Sequence, residues 1–239
     1  MTASDRSIDI HSLTRNGLLL QLADPTLPIG GFNHSGGLET FVQQGCISDA
    51  ASLKEFVHTQ LQQNWLHNDG AYVSLAYNAS CAQNLPALIL LDQQIGAAKT
   101  ARELRECSYK LGVRLLKIFA PHIHTPIVTG FQAELTARRV RGFYPLVFGL
   151  LAAALQLDKA ATLQAYYYNA VVGLITNGVK LIPLSQMAGQ EILIELHATI
   201  AHTVAASLQP SQKHLGATTL ATDIRAMQHE RLYTRLYMS

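Results

Sequence analysis

Charged side chains are scarce in this sequence. Asp, Glu, Lys and Arg make up 14% of its 239 residues, whereas about 25% is usual for a soluble domain. The formal net charge is only +2, and no Lys/Arg cluster is long enough to follow a phosphate backbone, so we expect neither nucleic acid nor a membrane as partner. Hydrophobic residues reach 49%, which excludes a disordered chain and leaves apolar surface for protein partners.

Cysteines and long apolar runs are also few. The three cysteines, Cys46, Cys81 and Cys107, lie far apart and form no CxxC pair, so we expect a reducing compartment and no disulfide framework. The polar first residues lack the apolar core of a secretory signal. The most apolar run, Pro145 to Leu157, is shorter than the ~20 residues of a membrane span and predicts a helix buried inside a bundle. A cytoplasmic location is therefore expected.

Alternating β-branched runs are nearly absent, and helical periodicity dominates instead. Apolar residues recur every three or four positions between Ser52 and Trp65, and Ser52 with Glu55 matches a capping box. Two long helices are predicted from Lys159 to Leu181 and from Ser185 to Leu208. These patterns predict an all-α fold, a single-domain helical bundle of about eight to ten helices.

The chain divides into three parts by composition. We expect residues 1–20 to be a mobile N-terminal segment and 21–221 to form the helical domain. The last part, 222–239, is a short and relatively charged tail. Both ends are expected to be the most mobile regions.

The glycine-rich stretch from Asp24 to Glu39 is the first place to look for a site. A phosphate-binding loop is disfavoured because no lysine follows Gly37. A serine-nucleophile elbow is disfavoured because residue 33 is Asn rather than Gly and the surroundings are helical. A metal site at His34 would need further ligands, and none lies at suitable spacing nearby. The favoured interpretation is a compact turn before a helix, in which glycines adopt positive φ and Ser35 or Asn33 caps the helix.

Other candidates for chemistry are weaker. His122 and His124 form an HxH pattern that can bind Zn²⁺ or Ni²⁺, but no Cys or carboxylate follows closely, so a polar loop is favoured. No carboxylate pair and no Ser/His/Asp set occurs at recognisable spacing. The residues alone predict a helical domain without evident catalytic machinery. The alternatives are a hydrolase using Ser35 and a metal-binding protein using His34 or the His122/His124 pair.

Four blocks of the sequence together resemble the UreF family of urease accessory proteins. In chain order the blocks are Leu22–Glu39, Ala101–Ser108 followed by Gly112 and Leu115–Leu116, Leu181–Gln186 with Gly189–Gln190, and His229–Ser239. The sequence departs from the family pattern at Phe143, Ser185 and Gln228, so no role is assigned to these three positions.

The resemblance implies an all-α adaptor that is not an enzyme and is usually a homodimer. UreF proteins bind a UreD-type protein, called UreH in some species, and the GTPase UreG. That complex delivers nickel to the urease apoprotein in a GTP-dependent step. The resemblance therefore implies that this chain binds no cofactor of its own, because nickel is the cargo of the complex and GTP is bound by UreG.

The resemblance also predicts two partner-binding surfaces. The glycine-rich turn is expected to face a partner or a second copy of the chain, and the tail over 222–239 is expected to become ordered against the UreD-type protein. The residues predicted to form these surfaces are Gly30, Gly31, His34, Ser35, Gly36, Glu39, Arg102, Glu103, Arg105, His229, Glu230, Tyr233 and Arg235. No catalytic and no metal-binding residue is predicted.

Overall fold

The computed structural model describes residues 9–217 and 219–238. Within these ranges the chain forms eleven α-helices, one π-helical segment and three short 3₁₀ turns, and no strand. The α-helices are α1 (Ile10–Leu22), α2 (Leu38–Gln43), α3 (Ala50–Thr59), α4 (Asp69–Cys81), α5 (Leu85–Ala98), α6 (Arg102–Phe119), α7 (Pro126–Thr136), α8 (Tyr144–Ala154), α9 (Lys159–Leu181), α10 (Gln186–Ser207) and α11 (Leu220–His229). The all-α prediction is confirmed, with one helix more than the upper predicted count.

The predicted bounds of the two long helices are close to those observed. Helix α9 spans the predicted residues, and Ser185 is the N-cap of α10, where its side chain accepts a hydrogen bond from the N–H of Ala188. The capping box predicted from Ser52 and Glu55 was wrong. Asp49 caps α3, because its carboxylate accepts the Ser52 N–H at 2.8 Å while the Ser52 hydroxyl accepts the Asp49 N–H.

The centre of the bundle is the contact between α4 and α8. Every residue of α8 from Pro145 to Ala152 is buried, as its all-round apolar sequence predicts. Gly149 makes the approach possible, since a Cβ at this position would overlap the carbonyl oxygen of Val73 on α4. Helix α6 also packs on α8, and the two longest helices, α9 and α10, pack against each other.

Each end of the described chain carries a helix that packs on the domain. Helix α1 packs on α8 and α9, and it runs through the boundary expected at residue 20. Helix α11 packs on α2 and α6, and it runs through the boundary expected at residue 222. Residues 1–8 of the expected N-terminal segment lie outside the described residues. None of the described helices is long and apolar enough to cross a membrane.

Candidate functional site

The glycine-rich stretch forms the predicted compact turn, and this turn places α2 beneath α11. Gly30, Gly36 and Gly37 all have positive φ values, of 89°, 63° and 89°, which glycine adopts without the steric cost of a Cβ. Gly37 is the N-cap of α2, and a Cβ there would lie 3.4 Å from the Ala226 nitrogen of α11. The predicted cap was therefore misplaced, although the buried Ser35 hydroxyl does accept the N–H of Glu39 at 3.4 Å.

Two side chains from neighbouring helices hold the backbone of this turn. Arg114 of α6 donates to the carbonyl of Ile29 at 2.6 Å, and Asn177 of α9 donates to the carbonyl of His34 at 2.8 Å. The pKa of the His34 imidazole is lowered, first by burial and then by the positive charges of Lys110 and Arg114. Because side chains of both helices form hydrogen bonds to its backbone, the turn is held against the domain.

Glu39 of α2 is the centre of a buried polar network. Its side chain accepts hydrogen bonds from the backbone N–H groups of Leu236, at 2.6 Å, and Tyr237, at 3.1 Å, and it lies 3.0 Å from His229 Nε2. Burial by itself would raise the pKa of Glu39, but these hydrogen bonds outweigh burial and the pKa is lowered. Glu39 is therefore a charged acceptor that attaches the C-terminus to α2.

His229 joins two carboxylates from two different helices. The side chain is fully buried at the end of α11, and its Nδ1 lies 2.8 Å from Glu103 of α6 while its Nε2 faces Glu39. The second oxygen of Glu103 accepts a hydrogen bond from Arg235 at 2.9 Å, so His229 and Arg235 together connect Glu103 to the C-terminal part of the chain.

Further hydrogen bonds fold the C-terminal segment, residues 230–238, back onto the domain. The Gln43 side chain of α2 donates to the carbonyl of Thr234 at 3.0 Å. The Met238 N–H donates to the carbonyl of Asn33, within the glycine-rich turn, at 2.8 Å. Just before Thr234, the Tyr233 side chain is fully exposed. The segment is thus fixed through its backbone while it presents side chains to solvent.

The two arginines at the start of α6 have different contacts. Arg102 donates to Glu230 at 2.7 Å, and this hydrogen bond lowers the pKa of Glu230. Arg105 instead donates to the carbonyls of Lys99 and Thr100, so it braces the connection between α5 and α6. Since Arg102 is exposed, its pair with Glu230 lies at the rim of the network.

The fold thus brings together most of the residues predicted from separate blocks of the sequence. Glu39, Glu103, His229 and Arg235 meet in one hydrogen-bonded network, and Arg102 and Glu230 form a separate pair beside it. Gly30, Gly31, His34, Ser35 and Gly36 form the adjacent turn, whereas Arg105 faces away toward the α5–α6 connection. Their contact with partners stays a prediction. Sequence reasoning missed Gln43, although its position four residues after Glu39 places both side chains on one face of α2.

A cavity of about 310 Å³ lies beneath the glycine-rich turn. Its lining includes an ion pair at 2.9 Å between Asp69 of α4 and Lys99 at the end of α5, both largely buried. Burial and the nearby Asp69 carboxylate raise the pKa of the Tyr166 hydroxyl, which also lines the cavity. The ion pair ties the start of α4 to the end of α5 below the turn.

The catalytic and metal-site alternatives gain no support from this geometry. Ser35 is fully buried, which is unsuited to a nucleophile that must reach a substrate. His122 and His124 are exposed on either side of the buried Ile123. Within 9–217 and 219–238, no group of three or more His, Cys, Asp or Glu side chains is placed to hold a metal ion.

Comparison with known proteins decides the family. The model of the UreF family matches residues 47–197, which is more than half of the chain. This chain belongs to the UreF family. A relative named urease accessory protein UreF from Actinobacillus pleuropneumoniae is 60% identical over 223 residues, which cover 93% of this chain and 98% of the relative. The protein of the same name from Haemophilus influenzae is 60% identical over 229 residues, which cover 96% of this chain and 97% of the relative. A Bacillus relative of the same name is 32% identical over 221 residues, covering 92% and 97%.

Membership confirms the resemblance drawn from the four sequence blocks. UreF is a family of accessory proteins and not of enzymes. The network around Glu39 and His229 holds the C-terminal segment on the domain, because a buried carboxylate that accepts hydrogen bonds from backbone N–H groups keeps that backbone in place.

Proposed function

We propose that this UreF protein is a non-catalytic adaptor in the maturation of urease. It joins a UreD- or UreH-type protein to the GTPase UreG, in a complex that inserts nickel into the urease apoprotein in a GTP-dependent step. Nickel is the cargo of that complex and GTP belongs to UreG, so the adaptor needs no resident cofactor. We further propose that it works as a homodimer in the cytoplasm.

The observation that carries this proposal is the presentation of the C-terminal segment. Its backbone is anchored to Glu39 and to Asn33, yet the Tyr233, Leu236 and Met238 side chains are exposed. Exposed apolar side chains on a fixed backbone favour a protein partner, and a fixed backbone reduces the entropy lost on binding. We assign this surface to the UreD-type partner.

The exposed face continues onto the glycine-rich turn. Phe32 lies in the 3₁₀ turn Gly31–Asn33 and is 60% exposed. It neighbours Asn33, whose carbonyl accepts the Met238 N–H. Aromatic residues and Met are enriched where proteins meet, so Phe32 extends the proposed surface from the tail to the turn.

The test is a double substitution that removes exposed side chains and spares the anchors. Tyr233→Ala with Leu236→Ala leaves the Leu236 backbone N–H free to bond Glu39. We expect the variant to lose co-purification with the UreD-type protein while its thermal unfolding is unchanged. Deleting residues 222–239 would be a poorer test, because it removes the buried Ala226 and His229.

The matched control is Met187→Ala with Ile194→Ala on α10, where both side chains are 68% exposed. This control should retain the partner. Equal binding by the tail variant and the parent protein, or an equal loss in the α10 control, would refute the assignment of the tail surface. Reconstitution of urease with nickel, UreG and GTP then tests the adaptor role itself.

A further inference from the structure

Two histidines far apart in sequence meet on the side of the domain where α4 begins. His67 follows the π-helical segment Gln60–Trp65, and His214 ends the 3₁₀ turn Gln212–His214. Their ring centroids are 5.3 Å apart and the ring planes are inclined by 73°. His67 is partly buried, while His214 is exposed to solvent.

The spacing of the two rings suits a shared metal ion. A cation bound about 2.0–2.1 Å from one nitrogen of each imidazole lies about 3.2 Å from each ring centroid. A near-tetrahedral angle at the metal then puts the two centroids about 5.2 Å apart, which agrees with the observed 5.3 Å.

Backbone contacts next to each histidine hold the pair together. The Gly216 N–H donates to the carbonyl of His67 at 2.9 Å, and the Asn68 side chain donates to the carbonyl of Ala217. Gly216 has a φ of 77°, which turns the chain back toward α4. A pair of ligands that the fold has already placed loses little entropy when it binds a cation.

Imidazole nitrogen is a common protein ligand of Zn²⁺, Ni²⁺ and Cu²⁺. No third His, Cys, Asp or Glu in the described parts of the chain is placed to join the pair, so water has to complete the coordination.

We propose that His67 and His214 form an exchangeable binding site for a divalent late transition-metal cation, with water in the remaining coordination positions. The site is separate from the network around Glu39 and does not depend on the proposed adaptor role. It is also distinct from the HxH pair His122 and His124, which are only two residues apart in sequence.

The test uses the full-length protein and isothermal titration calorimetry with nickel chloride and with zinc chloride. We expect one equivalent of each cation to bind to the parent protein. His214→Ala should weaken that binding by about tenfold or more, because loss of a ligand costs at least as much as loss of a supporting contact. His67→Gln should have the same effect.

The matched control is His122→Ala with His124→Ala, which should bind as tightly as the parent. His214 is exposed on a short turn, so its substitution preserves the fold, and a thermal unfolding curve verifies this. Electron paramagnetic resonance with one equivalent of Cu²⁺ should show two nitrogen ligands in the parent and one in His214→Ala. Unchanged titration in His214→Ala, or loss of binding only in the His122/His124 variant, would leave the two rings as an edge-to-face packing pair and overturn the proposal.

Discussion

Replacing His229 by alanine would leave the carboxylates of Glu39 and Glu103 facing a buried gap. Leaving one buried hydrogen-bonding group without its partner costs about 1–3 kcal/mol. Glu39 and Glu103 would each lose one partner, while Glu39 keeps its two backbone donors and Glu103 keeps Arg235, so the two losses together come to about 3 kcal/mol. We therefore expect His229→Ala to destabilise the docking of the C-terminal segment by about 3 kcal/mol.

Amide hydrogen exchange is the assay that locates this loss. The N–H groups of Leu236 and Tyr237 bond to Glu39 in the folded protein, so their exchange reports the opening of the segment. A loss of about 3 kcal/mol speeds exchange at these two amides by about 100-fold, since 1.4 kcal/mol is a factor of ten. Amides in α8 should exchange as before, because that helix lies in the distant core.

His202→Ala is the control, because His202 is exposed on α10. It should leave both amides protected. If Leu236 and Tyr237 stay protected in His229→Ala, the network does not hold the segment and the reasoning from its geometry is refuted. Uniform loss of protection throughout the chain would instead show that His229 stabilises the whole domain.

Three other contacts can be tested by a change of pH or by substitution. The pKa of Glu39 is lowered below its ordinary value of 4.5, so the stability that the Glu39 carboxylate contributes is present above pH 4.5 and is lost as the pH falls through the lower pKa of the folded state. Amide exchange at Leu236, corrected for its intrinsic rate, should therefore rise only in that acidic range. Detachment of the C-terminal segment near pH 6 would contradict this. Gly149→Ala should lower the free energy of unfolding, measured in urea, by about 1–3 kcal/mol because the new methyl group overlaps Val73. A methyl group at Gly173 meets no atom within 4 Å, so Gly173→Ala should raise the free energy of unfolding by up to about 1 kcal/mol. A similar loss of stability in both variants would contradict the packing argument. Asp69→Asn should lower the stability by about 3 kcal/mol because Lys99 stays buried without a charged partner, and Lys54→Ala, which breaks an exposed pair, should change thermal unfolding little.

Helices were predictable wherever local signals agreed. The all-round apolar residues of α8 determine a central, buried helix, because no other placement removes all of them from water. Ser185 and Asp158 cap α10 and α9 through side-chain oxygens close to the helix starts, a relationship that lies within a few residues of sequence. The start of α3 was misjudged because Ser52 was taken to begin the capping box, whereas it is the N3 residue of the box that Asp49 begins.

The conformation of the glycine-rich turn was predictable from local sequence, but its packing was not. Positive φ at Gly30, Gly36 and Gly37 follows from glycine's missing Cβ, and the sequence predicts a turn on that ground. Gly37 also leaves room for the backbone of α11, which would lie 3.4 Å from a Cβ at this position. This requirement follows only from the packing of two helices that are almost two hundred residues apart in sequence.

By itself the sequence determined the helical class, the buried centre and, through resemblance, the UreF family. These depend on periodicity, capping and blocks of neighbouring residues, all of which are local properties of the chain. Only the tertiary structure decided that His229 lies between Glu39 and Glu103, and that His67 meets His214. The physical reason is that such pairs depend on how the helices rotate and cross, which the packing of the whole core decides.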